Sequence, residues 1–185
     1  PPLLYNLAEL QNDCSRFFKL SPDETLKHTQ ELYEKKLVTY PRTDARVLST
    51  AVAKVIDKNI GGLRNLQDYR GFAEEILAAG TYKNLAKAIV PTGQGFGNLN
   101  GLSQTTKNVY YAIVRRFLSI FYPPAVYRKV SIVLKRDDES FFANFKVLAD
   151  KGYLKVAESF KKNHSEEEDG EDNKNDEALL EKIKS

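Results

Sequence analysis

A chain of 185 residues, 42% apolar and 11% aromatic, has material for one sizeable domain or two small ones around a real core. Its single cysteine, Cys14, excludes an intramolecular disulfide framework and a multi-cysteine zinc site. No apolar run approaches the roughly 20 residues of a membrane-spanning helix, so no membrane partner is expected.

The net charge of +3 hides an asymmetry. Residues 163–185 carry nine acids against three lysines, a net −6, which leaves +9 on residues 1–162. A basic body with an acidic tail suits a polyanionic partner, and a solvated lysine-rich surface gives the same balance. No basic-then-apolar leader opens the chain, and a cytoplasmic protein fits. The chain starts at Pro1 and ends at Ser185 without a closing element, so it reads as a piece of a longer protein.

Pro1 to Leu7 reads as an extended lead-in. Ala8 to Phe18 reads as a helix with Leu7, Leu10, Cys14 and Phe17 or Phe18 on one face. Arg16, on that helix, can face phosphate or solvent. Ser21-Pro22-Asp23-Glu24 is a strong helix start: Ser21 caps, Pro22 fits the first turn and Glu24 completes a capping box. Leu26, Thr29, Tyr33 and Leu37 then recur at helical spacing. His28, among polar neighbours, reads as a surface residue.

The helix leads into Leu37-Val38-Thr39-Tyr40-Pro41-Arg42-Thr43-Asp44, where Pro41 is expected to stop it. The residue before a proline is pushed out of the α region, so Tyr40 is expected on extended or turn backbone. Arg42, at i+2, can lie on the same side of such a backbone. A phenol beside a guanidinium suits attack on a phosphodiester. Phenols ionise near pKa 10, and a cation nearby favours the phenolate and grips phosphate. The chain has ten tyrosines, so a packing role stays open on the pattern alone.

Beyond this stretch, Ser49 or Thr50 can cap a helix striped by Val52, Val55, Ile56 and Ile60 and ended by Gly61-Gly62. Phe72, Ile76 and Leu77, with Tyr69 and Ala73, mark another helix ended by Gly80. Ala88 to Thr92 precedes a loop with Gly93, Gly95 and Gly97, which lacks the Gly-Lys-Ser/Thr of a P-loop. Thr105 to Phe121 is the clearest helix, with Val109, Ile113, Val114, Phe117, Leu118 and Phe121 at the 3.6 period and Pro123-Pro124 as its stop. The period then becomes two. Val126 to Leu134 and Phe141 to Val147 form a hairpin across a polar loop, Arg136 to Ser140. Asp150-Lys151-Gly152 turns into a short strand, Tyr153 to Val156. Asn163 to Asp176 lacks apolar residues and reads as a disordered loop. Ala178-Leu179-Leu180 restarts a strand.

Tyr40-Pro41-Arg42-Thr43-Asp44, preceded by Leu32-Tyr33-Glu34, resembles the active-site signature of type IA DNA topoisomerases. The proline after the tyrosine is similar to the topoisomerase III branch. Supporting strings occur in the same order: Pro1-Pro2 with Leu10-Gln11 and Ser15-Arg16, Ala88-Ile89-Val90-Pro91-Thr92, and Arg115-Arg116-Phe117 with Pro123-Pro124-Ala125. The second string normally carries a histidine two residues before its alanine, where this chain has Ala86.

The resemblance, which spans most of residues 1–157, implies an α+β fold. A helical tyrosine-bearing domain is inserted into a β-rich arch, as part of a type IA toroid. Residues 1–10 would end the first arch segment and residues 11–122 would form the helical domain. Residues 123–185 would form the returning arch segment, with a disordered acidic loop at about 160–177. Tyr40 would be the nucleophile and Arg42 the scissile-phosphate ligand. Arg16, Thr43 and Thr92 would be DNA contacts, and Thr43 and Asp44 would fix the loop. The partner would be DNA, mainly single-stranded, and the piece would be monomeric. The Mg2+ of the full-length enzyme would belong to a Toprim domain outside this chain, leaving no cofactor and no activity in the piece alone. The alternative is a single-stranded nucleic-acid-binding module whose Tyr40 only stacks on bases.

Overall fold

The computed structural model describes residues 1–42, 56–80, 88–136 and 138–159. The chain divides into two compact units, Pro1–Tyr122 and Pro123–Ser185. The first is helical and the second holds a two-stranded antiparallel sheet.

In the first unit, α1 (Leu7–Phe18) opens on an Asn6 cap whose side chain accepts from the Glu9 N–H at 2.9 Å. It closes on Lys19 in the left-handed region. Its buried residues are Leu10 and Cys14, and Phe17 stays exposed. Burial pushes the Cys14 thiol up to about 12.

Helix α2 (Pro22–Glu34) has the expected capping box: Ser21 Oγ accepts from the Glu24 N–H at 3.2 Å, and the Ser21 N–H donates to Glu24 Oε2 at 2.8 Å. That backbone bond holds the Glu24 carboxyl below its ordinary range. The buried stripe is Thr25, Thr29 and Leu32. Leu26 is only half-buried and Tyr33 is exposed, so the expected stripe is rotated by one residue. Two threonines enter the core because each hydroxyl bonds a carbonyl one turn back, Thr25 to Ser21 at 3.0 Å and Thr29 to Thr25 at 2.6 Å. His28 is not a plain surface residue. It is half-buried, with Nδ1 2.9 Å from Thr106 Oγ1, which donates to Glu31 Oε2 at 3.0 Å.

Helix α3 (Ile56–Leu63) runs through Gly61-Gly62 rather than stopping there. A short 3-10 turn, Gln67–Tyr69, leads into α4 (Arg70–Ala79), which closes on Gly80 at φ 63° as its C-cap. A second 3-10 turn, Phe96–Gly101, precedes α5 (Gln104–Ser119), and the sequence pattern foresaw neither turn. Helix α5 is the centre of the unit: Val109, Tyr110, Ile113, Val114, Phe117 and Leu118 are all fully buried. It packs against α2 and α1. Arg116 adds an ion pair to Asp13 at 2.7 Å and lies 4.3 Å over the Tyr5 ring, while the Tyr5 hydroxyl bonds the same carboxylate. Tyr122 donates to Glu75 at 2.6 Å, tying the segment after α5 to α4.

In the second unit, β1 (Val126–Arg136) and β2 (Glu139–Asp150) pair antiparallel, with Arg136 opposite Glu139. Gly152, at φ 47°, makes the turn that follows, with its N–H bonded to Asp150 Oδ1 at 2.9 Å. An added Cβ there would stand 2.4 Å from the Pro123 carbonyl. The expected strand Tyr153 to Val156 is instead α6 (Leu154–Ala157). The Tyr153 N–H bonds Pro123 O at 2.9 Å and the Val156 N–H bonds Tyr153 O at 3.1 Å, so the backbone coils with no ladder partner. The expected acidic loop and the strand at Ala178-Leu179-Leu180 lie outside the described residues.

Candidate active site

The site begins with how α2 ends. It stops at Glu34, well before Pro41. Lys36 takes φ 60°, its N–H bonds Tyr33 O at 2.9 Å, and the Leu37 N–H reaches back to Leu32 O at 2.9 Å. This is a Schellman turn with a lysine at the left-handed position. The proline is not the stop that the sequence suggested. Asn98 Nδ2 donates to Lys35 O at 3.1 Å, satisfying one of the freed carbonyls.

The chain leaves that turn extended. Leu37 and Val38 are buried. Val38 pairs antiparallel with Pro91, and Tyr5 pairs with Ile89. The Thr39 N–H donates to Val90 O at 2.9 Å, the Thr92 N–H donates to Leu37 O at 3.0 Å, and the Ile89 N–H donates to Tyr5 O at 2.9 Å. Ala88 to Thr92 is thus held on one side by the lead-in and on the other by the segment that carries Tyr40. Thr39 adds a clamp: its hydroxyl donates to Ala88 O at 3.0 Å and accepts from the Val90 N–H at 3.0 Å. The two strings singled out in the sequence are therefore bonded to each other.

The glycines that follow let this layer lie close to its neighbours. A Cβ on Gly62 would sit 1.9 Å from Gly93 O, and one on Gly93, at φ 71°, would sit 2.5 Å from Asn59 O. Asn59, buried on α3, donates to Pro91 O at 3.1 Å. Gly62 therefore serves a close backbone approach, and the pair is not a helix end.

Tyr40 emerges from this frame 53% exposed. Among the described residues its hydroxyl has no hydrogen-bond partner. Its ring meets Tyr33 edge-on, with centroids 5.4 Å apart and planes at 78°. Pro41 is buried and Arg42 is exposed with no bonded partner among the described residues. An exposed phenol on a braced segment, followed two residues later by an exposed guanidinium, can meet a phosphodiester from solvent.

The other expected site residues are less tightly assembled. Thr92 is joined to the frame, but its hydroxyl donates to Lys36 O at 2.5 Å and accepts from the Gln94 N–H at 3.3 Å. Arg16 is exposed on the last turn of α1, with its guanidinium 5.2 Å from the Phe17 ring centroid. Thr43, Asp44 and Ala86 lie outside the described residues. Sequence reasoning misses Tyr33 and Thr39 as site residues. The helical period places Tyr33 on the apolar stripe, and Thr39 reads only as β-biased. Among the described residues, no group of three or more His, Cys, Asp or Glu is placed to hold a metal ion, and no helix is long and apolar enough to cross a membrane.

The pattern of the DNA topoisomerase family matches residues 1–185. The chain belongs to the type IA DNA topoisomerase family. It is 33% identical over 179 residues to DNA topoisomerase 3 of Bacillus subtilis, covering 91% of this chain and 24% of that protein. It is 34% identical over 178 residues to DNA topoisomerase 3 of Bacillus licheniformis, covering 90% and 24%. Full-length topoisomerase I of Thermotoga maritima superposes with a TM-score of 0.62 at 26% identity, covering 92% of this chain and 28% of that one. The mixed helical and small antiparallel-sheet architecture is that of a type IA topoisomerase segment. The chain spans about a quarter of the length of the curated relatives it matches.

Proposed function

We propose that this chain carries the nucleophile of a type IA topoisomerase that opens one DNA strand, lets another pass and reseals the break. The observation that supports it is the exposed Tyr40, presented by a segment hydrogen-bonded to Ala88–Thr92. In this reading the Tyr40 oxygen attacks a backbone phosphorus of single-stranded DNA. A phosphotyrosyl bond to the 5′ side forms as the P–O3′ bond breaks, and the 3′ oxygen leaves with a proton. One phosphoester replaces another, so the reverse attack by the 3′ hydroxyl reseals the strand without ATP.

Arg42 holds the non-bridging oxygens, and its planar fork stabilises charge that builds on them in the transition state. Thr92 acts chiefly by holding its own turn, because its hydroxyl is already engaged. Arg16 contributes charge for DNA. Among the described residues no three or more His, Cys, Asp or Glu stand together as a ligand group. The metal and the general acid are assigned to parts of the enzyme outside these 185 residues.

The test uses the full-length enzyme and labelled single-stranded DNA on a denaturing gel. Wild type is expected to carry label on the protein, and Tyr40→Phe, which removes only a hydroxyl, is expected to carry none. An adduct that survives in Tyr40→Phe would reassign the ring to base stacking.

A further inference from the structure

The two faces of the β1–β2 hairpin differ in a way that sheet formation does not ask for. On one face Arg128, Val130, Ile132 and Leu134 stand opposite Val147, Phe145, Ala143 and Phe141. The middle of this face is apolar and half-buried. The other face alternates out of it: Tyr127, Lys129, Ser131, Val133 and Lys135 on β1, facing Leu148, Lys146, Asn144, Phe142 and Ser140 on β2. It holds three lysines and no acid.

Lys129 and Lys146 stand directly opposite each other, and like charges so placed weaken a ladder. Among the described residues neither Lys129 nor Lys135 forms an ion pair, and Lys146 instead lies 4.1 Å over the Tyr127 ring. Phe142, on the same face, is 74% exposed, and Tyr127 is exposed too. Ser131 donates to Asn144 at 2.8 Å between the lysine pair and Phe142, keeping the strands in register there. Ammonium groups without an ion pair among the described residues, beside rings that stay partly exposed, suit one kind of ligand: phosphates along a strand bind the charges, and unpaired bases lie on the rings.

We propose that this face of the hairpin is a second contact surface for single-stranded DNA, with Lys129, Lys135 and Lys146 on the phosphates and Phe142 and Tyr127 under the bases. It rests on the reading of the chain as part of a DNA-cleaving enzyme for the identity of the polyanion. Duplex DNA fits less well, because its bases are already stacked and cannot use the rings.

The experiment measures oligo(dT) binding by the full-length enzyme as salt is raised, in the Tyr40→Phe background so that cleavage does not intervene. The double variant Lys129→Gln, Lys146→Gln is expected to flatten the log–log salt slope by about 1.4, at about 0.7 for each phosphate that the protein no longer neutralises. Phe142→Ser is expected to weaken binding by about 5- to 150-fold. Lysine acylation of the otherwise unaltered enzyme, read by mass spectrometry, avoids dependence on variants that fold poorly. Lys129 and Lys146 should react in the free protein and be protected by oligo(dT). Unchanged slope and affinity would overturn the proposal. So would lysines that are unreactive before DNA is added, since protein would then cover the face. A Tyr40 adduct in the otherwise unaltered enzyme, together with an unchanged slope in the lysine variant, sinks this inference alone. A flattened slope in the lysine variant, with no adduct in the enzyme that keeps Tyr40, sinks the nucleophile assignment alone.

Discussion

Among the described residues Tyr40 is aimed by its neighbours and not by a bond of its own hydroxyl. Tyr33 meets it edge-on from the last turn of α2, an arrangement worth about 0.5–1.5 kcal/mol beyond the area it buries. That is enough to bias one ring orientation and too little to hold the fold. Tyr33→Leu is therefore expected to slow single-turnover adduct formation by up to about tenfold while leaving DNA affinity unchanged, and Tyr33→Phe should restore the rate. An equal loss of affinity and rate would make Tyr33 a DNA contact instead. Thr39 acts on the other side. Its hydroxyl bonds Ala88 O and the N–H of buried Val90. Thr39→Val keeps the shape and strands that N–H, at about 1–3 kcal/mol. Urea unfolding should show a loss in that range, and a neutral result would mean the clamp carries no stability.

At the level of elements, the sequence was most legible where local chemistry decides. The capping box of α2 was readable because serine, proline and glutamate at that spacing satisfy each other. The Gly80 cap of α4 follows from the same kind of rule. The hairpin was readable from its period of two. Misreadings arose where tertiary contact decides. Gly61-Gly62 has the pattern of a helix end, but the approach of the Gly93 backbone needs a residue without a side chain at Gly62. Lys36 in the left-handed region carries no glycine signal for the end of α2, so the sequence pattern runs the helix on to Pro41. The site was legible as two strings, and their pairing across some fifty residues was not, since a bridge of so few bonds leaves no periodic trace. Gly62→Ala tests the close approach. Its methyl would meet backbone at 1.9 Å, which no rotamer change relieves. Overpacking of this kind costs about 1–3 kcal/mol or more, and thermal unfolding should show it. Gly71→Ala, with open space at its Cβ, is the control and should hold or gain stability.

For the whole molecule the governing facts are charge and extent. Residues 1–162 carry +9, and the chain spans about a quarter of its curated relatives. Charge alone suffices for weak binding to a polyanion, since it needs only the release of counterions. Strand cleavage needs more: a proton must reach the leaving oxygen, and in this reading a metal must offset charge on the phosphate. Tyr40 and Arg42 supply neither, and the described residues hold no metal cluster. The isolated 185-residue chain is therefore expected to bind single-stranded oligonucleotides with an affinity that falls steeply with salt, and to leave a supercoiled plasmid unrelaxed with magnesium present. Gel analysis of the plasmid decides between this division of labour and a self-sufficient site. Relaxation by the chain alone would place the acid and the metal within these residues, and then carboxylates outside the described segments would have to provide them.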